Sequence, residues 1–438
     1  MVSSDGTPLE LSEAPRDTNL LPEQTDAPST ALPLDPSPQV PEGGYGWIVV
    51  IACAIITWWF VGTGYSWGVI QGRLVKEGVS KASTLSFVGA LMVAFIAIMA
   101  IPNARIIQAI GAQKTGIIGI SLLGLGELLS GSTTNNVGGL FATTGFIMGV
   151  GTRLFPSTSH CPAQYFHRKR GLANGIVYAG GGLGGAVISL VMEAIVRSLG
   201  PAWTFRIIGF LTLGTGLPAA WMIRERAPTQ RRKLVEWSLF RSLRFDLLFF
   251  AGVVATFPLF VPPFFLPLFA QSIGLSASVG AALVAAFNFS SALGRIGLGL
   301  CCDYVGPINA LFVSLMLSSL SMLTIWPVSR SLAPLVVFVV INGAANGGFF
   351  ATMPTVVGNV FGSVRVTVAM GIIVTGWAGG YLMGGPIAAY LLDAFGGTDA
   401  GITAYRPAMY YSGSMLMAAT ILVGAMRLKS EKALLKKV

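Results

Sequence analysis

The sequence predicts an all-α membrane protein with twelve transmembrane helices arranged as two six-helix bundles. Three observations lead to this fold class. Of the 438 residues, 53% are hydrophobic and only 11% are charged, with a mean hydropathy of +0.71, which is too apolar for an ordinary soluble domain. Apolar stretches of about 20 residues, the length that crosses a bilayer, recur from Tyr45 onwards. A glycine pattern in the first half also returns in the second.

The amino-terminal tail, residues 1–44, differs in composition from the rest of the chain. The first 46 residues contain eight acids and one base, Arg16, among many prolines, serines and threonines. Such a segment cannot bury enough apolar surface to fold by itself. We therefore expect a disordered acidic tail. It shows no cleavable signal peptide, so the first span is expected to direct the chain to the membrane.

Twelve apolar segments follow the tail, separated by short polar stretches. The first six form a predicted bundle over residues 45–224, and the last six form a second bundle over residues 246–427. Pro258, Pro262, Pro263 and Pro267 are expected to kink the seventh segment. The predicted spans are 45–70, 83–104, 115–132, 137–160, 171–196, 203–223, 246–270, 278–300, 308–328, 332–354, 366–392 and 405–426.

The distribution of lysine and arginine predicts the orientation. With the amino terminus inside, eighteen of these residues fall in the inner loops and the carboxyl-terminal tail, and seven fall on the outer side. Cytoplasmic loops carry the positive excess, so both termini are expected in the cytoplasm, and the plasma membrane is the expected location. The basic linker 225–245 and the basic tail 428–438 then anchor this topology against the lipid bilayer and need no nucleic acid as partner.

An internal repeat relates the two predicted bundles. Because small residues let helices approach closely, a shared glycine pattern indicates two bundles with similar packing. A parallel repeat of this kind places a solute site between the bundles and opens it alternately to either side. Positions 198 residues apart match in spans four and ten, and positions 200 apart match in spans five and eleven: Gly145, Gly149 and Pro156 with Gly343, Gly347 and Pro354, and Gly171, Gly180, Gly184 and Gly185 with Gly371, Gly380, Gly384 and Gly385.

Two local motifs carry a resemblance to a known family. The chain reads Glu-Gly-Gly-Tyr-Gly-Trp over residues 42–47, and Tyr-Phe-His-Arg-Lys-Arg-Gly-Leu-Ala-Asn-Gly over residues 165–175. With the twelve spans, these motifs resemble the monocarboxylate porter branch of the major facilitator superfamily, including its fungal members. The resemblance covers about residues 41–427. It implies the major facilitator fold and secondary transport of a carboxylate.

The superfamily's inner loop motif is present in one half only. Between spans two and three, Gly111 is in place, but Gln108 stands where the family has an acid. Between spans eight and nine, Asp303 and Gly306 match the motif. The resemblance therefore implies that Asp303 and Gly306 form a gating loop.

Three ionisable residues fall at membrane depth, where a charge costs several kcal/mol unless it is paired or solvated. The resemblance implies that Arg295 binds the substrate carboxylate; the alternative is a structural pair with Asp303. Arg153 is a candidate second contact to an anionic solute. The alternative is that its long side chain extends to the inner membrane surface and places the charge there. Glu127 is the candidate proton carrier; the alternative is an acid near the outer end that water reaches or a neighbour pairs.

The remaining site candidates are Tyr65, Asn288 and Trp377, for which the resemblance implies positions along the superfamily's solute pathway; the alternative is that these side chains pack between helices or anchor the interface. Two departures from the lactate carriers count against lactate as the solute. Those carriers have an aspartate where this chain has Ser291, and a lysine where it has Tyr65. Aromatic residues at these places suit a bulkier solute.

These features predict a secondary active transporter of a small organic anion or amphipathic metabolite, with export of a fungal secondary metabolite favoured. The alternatives are proton-coupled uptake of a monocarboxylate or riboflavin-like nutrient, and a membrane sensor that does not transport. The sequence shows no catalytic constellation and no phosphate-binding loop, so an enzyme is not expected. Four cysteines and two histidines at no ligand spacing give no expectation of a metal or cofactor.

Overall fold

The computed structural model describes residues 43–154, 165–166, 170–225, 235–398 and 400–430. The described residues form helices and turns without β-strands. The acidic tail up to residue 42, most of the predicted linker, Pro156, part of the motif at 165–175 and the tail from residue 431 lie outside them. The helices are α1 Tyr45–Lys76, α2 Ala82–Ile98, α3 Ala100–Ile110, α4 Ala112–Thr133, α5 Val137–Leu140, α6 Gly149–Arg153, α7 Arg170–Met222, α8 Leu243–Thr256, α9 Val261–Ser272, α10 Ala277–Val305, α11 Pro307–Leu320, α12 Leu332–Gly376, α13 Ala378–Ala394 and α14 Ile402–Ser430.

The described helices account for the predicted spans. Nine are long and apolar enough to cross a bilayer, and α2 with α3 makes a tenth. The 53 residues of α7 would extend about 80 Å as one helix, far beyond the roughly 30 Å hydrocarbon core. It reverses at Gly200, whose φ of 78° is not helical, and so contains spans five and six. Span four is α5, a π-helical segment Phe141–Met148 and α6, described as far as residue 154.

The first, second and seventh spans are among those that differ from the prediction. The first extends to Lys76 rather than residue 70. The second is bent by 56° between α2 and α3, because Met99 leaves the helical conformation at φ −86° and ψ 7°; Pro102 follows in the first turn of α3, where its missing amide costs nothing. The seventh is broken between Thr256 and Val261, as its prolines predict.

The glycine repeat corresponds to a repeated packing pattern. A Cβ added at Gly180 or Gly184 would meet the α1 backbone at Ala54 or Trp58, at 2.5 Å from each carbonyl oxygen. At the matching Gly380 and Gly384 it would overlap Thr256 or Phe257 in the seventh span. The fifth and eleventh spans therefore lie equally close to the first span of their own half.

The neighbouring glycines of the same pattern connect the two halves. A Cβ at Gly185 would lie 2.8 Å from Cγ of Asn288 on α10, and one at Gly385 would lie 2.9 Å from Oγ of Ser86 on α2. Each half thus presents one glycine of its fifth helix to the second helix of the other half. This arrangement supports relative movement, because small residues do not interlock.

Turns repeat as well. Glycines with positive φ occur in pairs 195 or 196 residues apart, at 78 and 274, at 111 and 306, and at 200 and 396. Gly111 and Gly306 immediately precede α4 and α11 with φ of 87° and 91° and ψ of 162° and 148°. A side chain would be strained in this conformation. In both halves the third helix therefore begins from the same turn.

Candidate solute-binding site

Arg295 lies on α10 and is 9% exposed. Its Nη1 donates a hydrogen bond of 2.8 Å to the backbone oxygen of Tyr178 on α7. Its guanidinium carbon lies 5.4 Å from the ring centre of Phe350, a cation–π distance, and its Nε is buried without a partner. The guanidinium is thus held by neutral groups and keeps donor capacity unused.

Arg153 ends α6 and reaches the same region. Its charge interacts with Tyr178 and Tyr381, and Arg295 also interacts with Tyr381 and with Tyr65. The Nε of Arg153 is buried without a hydrogen-bond partner. The fold therefore brings the two arginines together around one tyrosine. We call Arg153, Arg295, Tyr65, Tyr178 and Tyr381 the two-arginine cluster.

No protein carboxylate compensates this positive charge among the described residues. The seven acidic side chains that the structure describes are Glu77, Glu127, Glu193, Glu225, Glu236, Asp246 and Asp393. None of them forms an ion pair with either arginine. Asp303 lies eight residues beyond Arg295 on α10, about 12 Å along the helix, and its side chain lies outside the described residues.

Tyr65 connects the cluster to the second half of the chain. Its hydroxyl donates to Oδ1 of Asn346 on α12 at 3.3 Å, and the Asn346 amide donates to the backbone oxygen of Leu259 at 3.1 Å. The Tyr65 ring stacks on Phe260, 4.9 Å between centres. This α1 residue is therefore fixed by both the broken seventh span and the tenth.

An aromatic wall continues from Tyr65. The Tyr381 ring lies 5.4 Å from Phe260 and 6.1 Å from Trp377. Trp377 in turn lies 6.3 Å from Phe350, the ring beneath Arg295. Trp377 is 5% exposed, with its indole nitrogen buried and unpaired. The predicted candidates Tyr65, Trp377 and Arg295 thus belong to one continuous set of side chains.

Asn288 lies about two helical turns before Arg295 on α10. It is 0% exposed, and both amide atoms lack hydrogen-bond partners. It packs against Gly185, where α7 crosses α10. An unpaired buried amide is costly, so this crossing has polar groups that are free to bond when the helices move.

Glu127 lies away from the arginines, on α4. It is 0% exposed, so the alternative of an acid that water reaches is wrong for this conformation. Its Oε1 accepts a hydrogen bond of 3.4 Å from Thr63 on α1, Thr212 of α7 lies beside it, and Oε2 has no partner. The carboxyl is thus bonded by a hydroxyl group of α1, lies beside a second hydroxyl group on α7, and has no cation beside it among the described residues.

The inner loop of the first half contains an acid that the sequence motif did not identify. Oε1 of Glu225, just after α7, accepts a hydrogen bond of 2.9 Å from the Ala112 amide at the start of α4. Burial raises the pKa of the Glu225 carboxyl, and this hydrogen bond acts in the opposite direction. An acid at a helix start satisfies free amides. Its signal in the sequence was weak, because Glu225 is one of two acids, with Glu236, in a basic linker.

A second polar region lies at the far end of α1. A pocket of about 310 Å³ is lined there by ends of α1, α7, α9 and α10, including Arg73, Lys76, Glu193 and Arg197. Arg73 forms an ion pair of 2.7 Å with exposed Glu77. The pocket is distinct from the two-arginine cluster, because Arg73 follows Tyr65 by about 12 Å along α1.

Comparison with known proteins identifies the family. The sequence profile described as Major Facilitator Superfamily matches residues 47–329 and 248–437, and together these matches span nearly all described helices. The chain belongs to the major facilitator superfamily. Superfamily membership confirms the predicted all-α membrane fold. It also confirms that the protein is a multi-pass membrane transporter and not an enzyme.

Sequence relatives of this superfamily member are fungal transporters. It is 30% identical over 371 residues to the aspyridones efflux protein apdF of Emericella nidulans, covering 82% of this chain and 74% of the relative. It is 25% identical over 397 residues to the agnestins efflux protein AgnL12 of Paecilomyces divaricatus, covering 89% of each chain.

Solved structures agree on the fold of this superfamily member. A nucleoside transporter, NupG, superposes with a TM-score of 0.70 at 13% identity, over 86% of this chain and 99% of that chain. A bacterial homologue of the lysosomal transporter Spinster, in an inward-facing occupied conformation, gives 0.69 at 16% identity, over 88% and 98%. At these identities the likeness concerns the fold alone.

Proposed function

We propose that the protein exports an organic anion, a secondary metabolite that has an acidic group and a conjugated or aromatic body. The two-arginine cluster carries this proposal, because two guanidinium groups without a described protein carboxylate form a site for anions. The aromatic wall beside it suits a flat apolar body. Efflux as the direction is supported by relatives whose names specify efflux of aspyridones and agnestins.

The finer family placement is part of the proposal. The motifs at 42–47 and 165–175 and the match of Arg295 favour the monocarboxylate porter branch. We also place the two six-helix bundles at residues 45–224 and 246–427, with the gating loop at Asp303 and Gly306 and its counterpart at Gly111 closed by Glu225. Asn288, at the crossing between the halves, is a polar contact that becomes available to solute as they separate.

Deleting the gene in its organism tests the proposed export. We expect one or more acidic, conjugated metabolites to be retained in the cells and depleted in the medium, as measured by negative-mode mass spectrometry. Reintroducing the wild-type gene restores the distribution, and Arg295→Gln does not. An unchanged distribution of every acidic metabolite, or retention of neutral compounds alone, contradicts the proposal.

Glu127 is proposed as the proton carrier that couples export to the pH gradient. A buried acid without a cation is costly as the charged form, so it carries a proton when closed off and releases it when water enters. The probe is isophthalate, an aromatic dicarboxylate of the proposed substrate class. In proteoliposomes containing the wild-type protein, we expect an imposed pH gradient to accelerate the flux of isophthalate several-fold. Glu127→Gln preserves the hydrogen bond from Thr63 and is expected to remove this acceleration.

The matched control is Glu77→Gln, which removes an exposed acid and is expected to keep the gradient response. A gradient response that survives in Glu127→Gln would assign coupling to another group. If the flux through the wild-type protein changes neither with the pH gradient nor on addition of an uncoupler, proton coupling is contradicted.

Both termini are proposed to be cytoplasmic in the plasma membrane. Epitope tags placed at either end are expected to bind antibody only after the cells are permeabilised, because the positive excess holds both ends inside. A tag inserted after Gly397, beyond α13, is expected to bind in intact cells. Antibody binding to a terminal tag in intact cells would reverse the orientation.

A further inference from the structure

The charge of the two-arginine cluster has a consequence for the transport cycle. Arg295 is 9% exposed, Tyr65 2% and Tyr381 4%, and Arg153 and Tyr178 are partly buried, so the protein keeps most of this region from bulk water. Arg295 contacts a backbone carbonyl and the Phe350 ring, and the groups that interact electrostatically with Arg153 are the phenols of Tyr178 and Tyr381; all of these groups are neutral. Two positive charges are therefore held together with no described carboxylate to compensate them.

The alternation between inward-open and outward-open states requires the pathway to close around this cluster. Closing it empty would isolate two unpaired cations from water, which is expensive in a low-dielectric environment. Closing it around an anion offsets one of these charges, and a dicarboxylate offsets both. Because a ligand shifts a conformational equilibrium by its differential affinity for the two states, an anion favours the closed state selectively.

We propose that the protein is an obligatory anion exchanger, in which the two-arginine cluster holds a carboxylate-bearing anion in each direction of crossing. The exported metabolite leaves, and a second carboxylate enters on the return step. This inference rests on the proposed function and adds a requirement to it: the empty protein returns slowly. A return solute with two carboxylates matches the two guanidiniums best.

Glu127 does not replace this anion. Its carboxyl contacts Thr63 and Thr212 and forms no ion pair with either arginine, so a proton taken up there leaves the charge of the cluster unchanged. The proton and the anion are thus held at separate places in the protein. They are distinguished experimentally by working at equal pH on both sides of the membrane.

Ser291 offers a way to supply the missing charge within the protein. It lies one helical turn before Arg295 on α10, on the same face, is 1% exposed, and its hydroxyl has no hydrogen-bond partner. Ser291→Asp places a carboxylate beside the cluster. Ser291→Asn has nearly the same shape without the charge, and is therefore the matched control. Arg153→Gln removes one of the two positive charges by an independent change.

The experiment measures exchange against net efflux. Proteoliposomes containing the purified full chain are loaded with radiolabelled isophthalate in potassium HEPES, with equal pH inside and outside and the membrane potential clamped by valinomycin. Efflux is followed into buffer with or without unlabelled isophthalate. We expect the wild-type protein to release label at least about tenfold faster into buffer that contains unlabelled isophthalate than into buffer without it. Ser291→Asn is expected to show the same ratio.

In Ser291→Asp and Arg153→Gln, net efflux is expected to approach the exchange rate to within about twofold, because the empty cluster is then less charged. Equal exchange and net efflux in wild type would overturn the proposal. So would an unchanged ratio in both charge-altering variants. A wild type with no isophthalate flux in either arm would instead refute transport of aromatic carboxylates, the proposed function on which exchange rests.

Discussion

Arg295→Ala is expected to abolish transport while the protein still reaches the membrane in normal amounts. The guanidinium donates a hydrogen bond to the Tyr178 carbonyl, and no protein anion is paired with it among the described residues. Its removal therefore leaves no described carboxylate unpaired. The bound solute does lose its partner, because truncating one member of a buried charged pair costs about 2–5 kcal/mol, equivalent to at least about thirtyfold in flux.

Isophthalate exchange in proteoliposomes measures this effect, with size-exclusion chromatography of a fluorescent fusion to verify the amount and folding of the protein. Arg295→Lys is the informative companion. Lysine keeps the charge but cannot donate two parallel hydrogen bonds to a carboxylate, so an intermediate flux is expected. Near-normal flux in Arg295→Ala would remove the carboxylate-binding assignment. Loss of folded protein would mean that the Tyr178 contact is structural.

Much of the fold could be predicted from the sequence because it depends on local composition. Span length follows from bilayer thickness, and the break in the seventh span follows from its prolines. The glycine pattern indicated similar close packing in both halves without naming the partner helices, and Gly180 and Gly380 both pack against the first helix of their own half. The bend at Met99 could not be predicted, since hydropathy continues unchanged through it.

The composition of the site was only partly predictable. Charge at membrane depth identified Arg153 and Arg295 as separate candidates, but their meeting around Tyr381 depends on how several helices are rotated. A helix turns by about 100° per residue, so uncertain boundaries cannot show which side chains converge. Asn346 and the Tyr178 carbonyl were missed for this reason. A backbone carbonyl has no signal in the sequence.

Gly294→Ala is expected to destabilise the protein, whereas Gly297→Ala on the same helix is not. A Cβ at Gly294 would overlap the backbone oxygen of Ala344 on α12, and a Cβ at Gly347 on α12 would overlap that of Ser291 on α10. The two backbones are therefore in reciprocal contact and cannot yield by rotating a side chain. A Cβ at Gly297 would meet nothing within 4 Å.

Inserting carbon into such a packed crossing costs about 1–3 kcal/mol, against a helix-propensity gain from glycine to alanine of up to about 1 kcal/mol. The gain is shared by both substitutions, so the difference between them isolates the close contact. Thermal unfolding of the purified proteins, followed by size-exclusion chromatography after heating, should place the unfolding temperature of Gly294→Ala several degrees below that of wild type and the unfolding temperature of Gly297→Ala at or above it.

Because Gly294 directly precedes Arg295, the folded fraction of Gly294→Ala should also exchange isophthalate more slowly than Gly297→Ala. Equal unfolding temperatures for the two variants would show that α10 and α12 separate easily at this crossing, and that glycine is not required there for packing.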